Sequence, residues 1–316
     1  MKPIVVVGSL NMDVTAYLDR WVQPGETLLA RDGAVSMGGK GGNQAVAAAR
    51  LGAEVRMIAA VGDDGFGADI DDRLRAETIT ANLVRPANCH TGMALIDVSD
   101  DGSNMIRLIA GANAQLDASA VRAHAAAFKG AGIVLLQNEV PLAASLQAAR
   151  LGRAAGALVI MDPAPAPVTP WTPGEFAVFD IVTPNAHEAS LILGWDVASL
   201  ADATEAALQL RKFGLRGAVV TMGALGAAWS IDDQSGQISP HAVKVVDTVA
   251  AGDCFNGGLA VALAQVQDLP AAMAMACDVA SLATLKRGAA ISAPYRADLL
   301  NFQLQHQNVH RHSRTN

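Results

Sequence analysis

An α/β fold, with a central and mostly parallel sheet flanked by helices in a Rossmann-like three-layer arrangement and a small β-sheet lid, is predicted by three observations. Short β-branched or apolar runs recur at Ile4 to Val7, Ile133 to Leu136, Leu158 to Met161 and Ala218 to Thr221, the pattern of strands buried on both faces. Ala- and Leu-rich stretches with helical spacing, such as Pro141 to Ala155 and Thr204 to Phe213, lie between them, which implies βαβ units. Two segments break the rhythm, Val14 to Ser36 and Gly92 to Ala110, the latter reading as strands Met93 to Val98 and Met105 to Ala110 around the turn Asp100 to Ser103. They predict β elements outside the main sheet.

The expected division is therefore an α/β core of residues 1–13, 37–91 and 111–305, a β lid of residues 14–36 and 92–110, and a polar, disordered tail of residues 306–316. His306, His310 and His312 in that tail read as part of a frayed end rather than a metal site. The Pro-rich stretch Pro163 to Pro173 follows a strand, where ligand-facing loops of open α/β sheets collect.

Composition narrows the classes of function. Hydrophobic residues make up 51% of the 316 residues and charged residues 17%, ample material for a core. A formal charge of −7 and 4% aromatic residues argue against nucleic-acid binding and favour small-molecule partners. The apolar run after Met1 is far shorter than a signal-peptide core and no stretch approaches a membrane span, so a cytoplasmic location is expected. Cys89, Cys254 and Cys277 are odd in number and widely spaced, as free thiols would be.

Two glycine-rich motifs carry the chemistry. In Gly38-Gly39-Lys40-Gly41-Gly42-Asn43-Gln44, ahead of a helix at Ala45 to Leu51, four glycines in five positions are unfavourable for ordering and so imply close approach, by a ligand or by neighbouring backbone. Lys40 and Asn43 supply donors, and the helix start adds amides. Gly41 after Lys40 excludes a Walker P-loop, and the dinucleotide pattern fails at its last glycine. In the second motif, Asp247 to Asp253 ahead of a helix at Cys254 to Gln265, the small Ala250, Ala251 and Gly252 let successive N–H groups converge on an anion. Asp253 is either a helix cap or a carboxylate placed where that anion reacts. Asn185 and Glu188 by themselves read as a helix-start cap, and Thr221 to Gly226 as a turn.

Together with Gly8-Ser9-Leu10-Asn11-Met12-Asp13, these motifs resemble the ribokinase-like carbohydrate kinases over residues 1 to about 300. Asn138 to Pro141, Asp162 to Pro165, Thr183 to Glu188 and Lys286 to Ala289 fall in that family's order. The resemblance implies phosphoryl transfer from ATP to a sugar, D-ribose at its 5-hydroxyl, giving ribose 5-phosphate, with another pentose, a ketose or a nucleoside as alternative acceptors. It implies that Asn11, Asp13, Gly39, Lys40, Asn43 and Glu139 bind the sugar, and that Asp253 is the general base beside an anion hole at Ala250, Ala251 and Gly252. Asn185, Thr221, Gly223, Gly226, Gly252 and Cys277 then contact the nucleotide, and Asn185 and Glu188 position Mg²⁺ through water. Asp247, Val249, Ala283, Lys286, Gly288 and Ser292 correspond to the family's K⁺ ligands, mostly through carbonyls, and a homodimer through the lid strands is implied. Cys254 departs from the family's usual Thr, Cys277 from a His against adenine, and Asn138 from an apolar residue. A non-catalytic sugar-binding regulator on the same fold is the alternative of a different class, and the presence of Asp253 weighs against it.

Overall fold

The computed structural model describes residues 1–100 and 103–312, so Asp101 and Gly102 of the expected turn, and the last four residues of the expected tail, lie outside the described residues. In chain order the strands are β1 (Ile4–Val7), β2 (Asn11–Leu18), β3 (Asp32–Gly38), β4 (Val55–Ala60), β5 (Thr80–Val84), β6 (Gly92–Ser99), β7 (Asn104–Ile109), β8 (Ile133–Gln137), β9 (Leu158–Asp162), β10 (Ile181–Val182), β11 (Gly217–Thr221), β12 (Ala227–Ile231) and β13 (Gln234–Ile238). The helices are α1 (Lys40–Arg50), α2 (Gly65–Ala76), α3 (Ala118–Ala123), α4 (Leu142–Ala154), α5 (Pro173–Phe176), α6 (Ala186–Leu193), α7 (Leu200–Arg211), α8 (Ala251–Ala264), α9 (Leu269–Ala283) and α10 (Arg296–His312).

β1 pairs in parallel with β4 on one side and β8 on the other, and all four of its residues are buried. A strand so placed has no polar face, which explains its unbroken β-branched run. Its alternate side chains enter two different cores. Ile4 and Val6 join the core formed with Val46 of α1 and Leu259 of α8, while Val5 and Val7 join the core formed with Ala148 of α4. Each such Val, Ile or Leu buried contributes about 1.5–3 kcal/mol, so both layers hold the sheet.

The main sheet runs β13-β12-β11-β10-β9-β8-β1-β4-β5 and is parallel from β11 to β5, with β12 and β13 added antiparallel. This is the predicted α/β architecture. A separate sheet has the order β3-β2-β6-β7. Its strands β2 and β3 begin at Asn11 and end at Gly38, so residues 14 and 36, the boundaries read from sequence, fall inside strands. Asn11 and Asp13 therefore stand on the small sheet where it leaves the core.

Helices α1 and α8 cross closely because Gly257 has no side chain: a Cβ there would lie 2.6 Å from the Ala47 methyl carbon and 3.1 Å from the Gln44 carbonyl oxygen. The crossing brings both helix starts to the carboxyl ends of β1, β8, β9 and β10, where open α/β sheets bind ligands. At the chain's other end, α10 continues through position 306, where sequence placed the start of the tail, and the His306 ring lies 4.2 Å from those of His241 and Phe302. Among the described residues no helix is long and apolar enough to cross a membrane.

Candidate active site

The helices of both glycine-rich motifs start earlier than the sequence patterns suggest. α1 begins at Lys40 rather than Ala45, with Gly39 as N-cap at φ 84°, a conformation that favours glycine, and a Cβ there would sit 2.8 Å from the Asn11 nitrogen. Gly41 lies inside the first turn and lets it press on Ser9, whose backbone a Cβ would approach to 2.7 Å. The glycines therefore serve neighbouring backbone directly. With no cap on Gly39, the turn is satisfied from outside: Glu139 Oε2 accepts from the Lys40 amide at 3.1 Å and from Ser9 Oγ at 2.6 Å.

α8 begins at Ala251 rather than Cys254, preceded by Ala250 in the left-handed region at φ 60°. A left-handed residue followed by helical ones turns successive amides toward one point, a nest for an anion. The Ala251 amide bonds the Thr248 carbonyl, whereas those of Gly252 and Asp253 have no protein acceptor among the described residues. A Cβ on Gly252 would meet nothing within 4 Å, so no protein contact explains its small size. The open space is next to the free amides.

The Asp253 side chain is buried and held by two donors, Asn43 Nδ2 at 2.9 Å to Oδ2 and Gln44 Nε2 at 3.2 Å to Oδ1. It is not the cap of its helix, since α8 has no side-chain cap bond. Around it, burial disfavours the Lys40 ammonium, but the negative charges of Asp253, Asp162, Glu139 and Glu188 outweigh this and hold its proton more tightly than water does. Burial pushes Asp162 well above the ordinary carboxylate range despite Lys40, and Glu188 is raised for the same reason. Lys40 is the cationic centre of a ring of carboxylates.

On the small sheet, Asp13 is pushed up to about 7 by burial first and by the charges of Glu139 and Asp253. Next to it, Asn11 Oδ1 accepts from Asn113 Nδ2 at 2.8 Å, which leaves the Asn11 amino group free to donate. Asn113 also clamps Leu10 through both backbone groups. A cavity of about 310 Å³ opens here, walled by Asn11, Asn113, Glu139, Leu108 and Pro165. A larger open groove of about 770 Å³ lies at the opposite ends of the strands, where Arg153 and Arg216 are already paired with Asp180 and Asp232.

Asn185 and Glu188 form the capping box that their spacing suggests, each side chain accepting from the other's amide at 2.9 and 2.8 Å, while Glu188 Oε1 stays outside the box. Asn185 bridges to Thr221, beyond which Gly223 and Gly226 turn the chain at φ 55° and 105°. Cys277 is buried in α9, and burial pushes its thiol up to about 12. Asp247 Oδ1 accepts from the Val249 amide at 3.0 Å and Oδ2 from the Gly288 amide at 2.9 Å, joining the loop before α8 to the segment after α9. Among the described residues no three His, Cys, Asp or Glu side chains gather into a metal-chelating group.

The profile of the pfkB family carbohydrate kinases matches residues 1–296. The chain belongs to this family. Its relatives include a ribokinase of Haemophilus influenzae, 36% identical over 306 residues that cover 96% of this chain and 99% of that protein. A deoxyribokinase of Salmonella typhi is 35% identical over 292 residues, 92% of this chain and 95% of that one. Among solved structures, the Arabidopsis thaliana ribokinase complexed with ribose and ATP superposes with a TM-score of 0.86 at 31% identity, covering 95% of this chain and 98% of that one. As a pfkB carbohydrate kinase, the chain is a sugar phosphotransferase on the fold described above.

Three participants escaped the sequence reading of the site. Asp162 was visible as a carboxylate ending a buried strand, a position with functional bias in such sheets. Gln137 and Asn113 had no comparable local signal, because their partners Gln44 and Asn11 are 93 and 102 residues away.

Proposed function

We propose that this kinase transfers the γ-phosphoryl group of ATP to the 5-hydroxyl of D-ribose, with Asp253 as the general base. The observation that carries the reading is the pairing, at one helix start, of a buried, doubly held carboxylate with unbonded amides of Gly252 and Asp253 beside open space. Asp253 takes the hydroxyl proton, the oxygen attacks the γ-phosphorus, the bond to the β–γ bridging oxygen breaks and ADP leaves. The free amides and Lys40 face the charge on the transferring group, where electrostatic stabilisation dominates catalysis.

Asn11, Asp13, Gly39, Asn43 and Glu139 supply the sugar site. Carboxylates accept hydroxyl protons and the Asn11 amino group donates, a set matched to a polyol. The segment from Thr221 to Gly226, Asn185 and Cys277 supply the nucleotide site. The relatedness to a deoxyribokinase favours 2-deoxyribose as the second reading. A panel of ribose, deoxyribose, fructose and nucleosides followed by ADP release decides between them. Ribose is expected to give the highest kcat/KM, and preference for any other acceptor rejects it.

Glu188 Oε1 and the Asn185 side chain suit a Mg²⁺ held through water, the ion supplying charge neutralisation at the phosphates. Asp247 keeps free lone pairs on both oxygens, and the carbonyls of Val249, Ala283, Lys286 and Gly288 with Ser292 Oγ would complete a K⁺ site beside the anion hole. Residues 14–36 and 92–110 act as a β lid over the sugar. The exposed Val35, Met105, Ile106 and Leu108 on edge strands β3 and β7 suit pairing of two lids in a cytoplasmic homodimer.

Sugar affinity should depend on pH through Asp13. Its raised value means that the ligand-free fold holds a proton that the unfolded chain releases, so this group's contribution to stability falls between about pH 4 and 7 as Asp13 is forced to ionise. Only the ionised form accepts from two hydroxyls, so the KM for ribose is expected to fall by up to about tenfold from pH 6 to pH 8. Initial rates across that range test this, and a pH-independent KM would count against it, as would the same dependence in Asp13→Asn.

A further inference from the structure

We infer that Gln44, which touches neither sugar nor nucleotide in this reading, is the positioning residue that orients the Asp253 carboxylate for proton acceptance. The inference rests on Asp253 being the base. Gln44 is completely buried in the second turn of α1. Its Oε1 accepts from Gln137 Nε2 at 2.7 Å, and this fixes which end of the amide points where. Nε2 then faces two carboxylates, donating to Asp253 Oδ1 at 3.2 Å and to Asp162 Oδ2 at 3.0 Å. Both of its hydrogens are used.

The consequence is a division of labour between neighbours. Asn43, which the proposed function places in the sugar site, can exchange its bond to Asp253 Oδ2 for one to a sugar hydroxyl. Gln44 has no such alternative, because its amide is fully buried with both ends engaged, by Gln137 on one side and by Asp162 and Asp253 on the other. It holds Oδ1 throughout, so the carboxylate keeps one orientation while Oδ2 is released to take the proton. The same amide separates two buried carboxylates that would otherwise repel each other directly.

The groups that face Asp253 from the packed elements are Lys40 on α1, Asp13 on β2, Asp162 ending β9 and Glu188 on α6, with Glu139 after β8 acting on Lys40, Asp13 and Asp162 in turn. Cys254, its neighbour on α8, stays a neutral thiol because burial raises it. A fixed donor pair among these charges stabilises the ionised base, so its removal should move the acid limb of activity to higher pH.

The test is the pH profile of single-turnover phosphoryl transfer from ATP to ribose in full-length wild type, Gln44→Met, Gln44→Glu and Asp253→Asn, with folding checked by circular dichroism. Gln44→Met keeps length and helix preference but has no donor. It is expected to lose about tenfold to a hundredfold in rate, the equivalent of one hydrogen bond to a charged group, and to shift the acid limb upward while the KM for ribose changes less. Gln44→Glu is isosteric and donates only when protonated, so it should acquire a fall in rate with rising pH that wild type lacks. If Gln44→Met does not fold, this second profile decides alone. A folded variant with the wild-type rate and profile overturns the role of Gln44. Normal turnover in Asp253→Asn instead removes the base, and with it both readings; loss in Asp253→Asn with unmoved profiles at Gln44 removes the positioning role only.

Discussion

Asp253→Asn is expected to bind ribose and ATP with near-normal affinity and to lose about 10²- to 10⁴-fold in kcat, the usual effect of removing a general base. The amide is nearly isosteric, and its oxygen can keep one of the two bonds, from Asn43 or from Gln44, while its amino group cannot accept the other. What it cannot do is take a proton. Calorimetric titration with each substrate separates binding from turnover. A variant that binds and turns over normally would exclude Asp253 as base, while one that fails to bind would make it a ligand anchor instead.

Lys40→Met should have the second-largest effect, a loss of about 10²- to 10³-fold in kcat/KM for ATP, comparable to removing one preorganised donor from a transition-state site. The four carboxylates Asp253, Asp162, Glu139 and Glu188 all act on this one ammonium. Without it, the anionic phosphates would meet carboxylates with no cation to offset them. Steady-state kinetics at saturating ribose measures the change. A loss below about threefold would mean that the helix-start amides suffice by themselves.

The fold was legible wherever burial on both faces forced an unbroken apolar run, as at β1, β8 and β9. The helix starts were displaced because Gly41, Gly42 and Gly252 disguise a first turn as loop; their small size answers to Ser9, to Leu10 and to open space rather than to helix preference. The composition of the candidate site was readable, but its wiring was not. Asn43 meets Asp253 across 210 residues of chain, and Gln44 reaches Asp162 across 118, separations at which no local pattern records a contact. Similarly, His306 looked like part of a frayed tail because its stacking partner, His241, belongs to the loop after β13.

The close crossing of α1 and α8 at Gly257 also bears on how ATP would reach the proposed site. The chain as a whole carries −7, so a polyanion approaching from a distance is repelled. Lys40 itself lies among Asp253, Asp162, Glu139 and Glu188, so attraction for the phosphates is local, from this ammonium and the unbonded Gly252 and Asp253 amides, within roughly 8 Å at physiological salt. In the proposed reaction, capture of ATP is then decided in the last few ångströms, by oriented amides and one ammonium, and not by long-range steering.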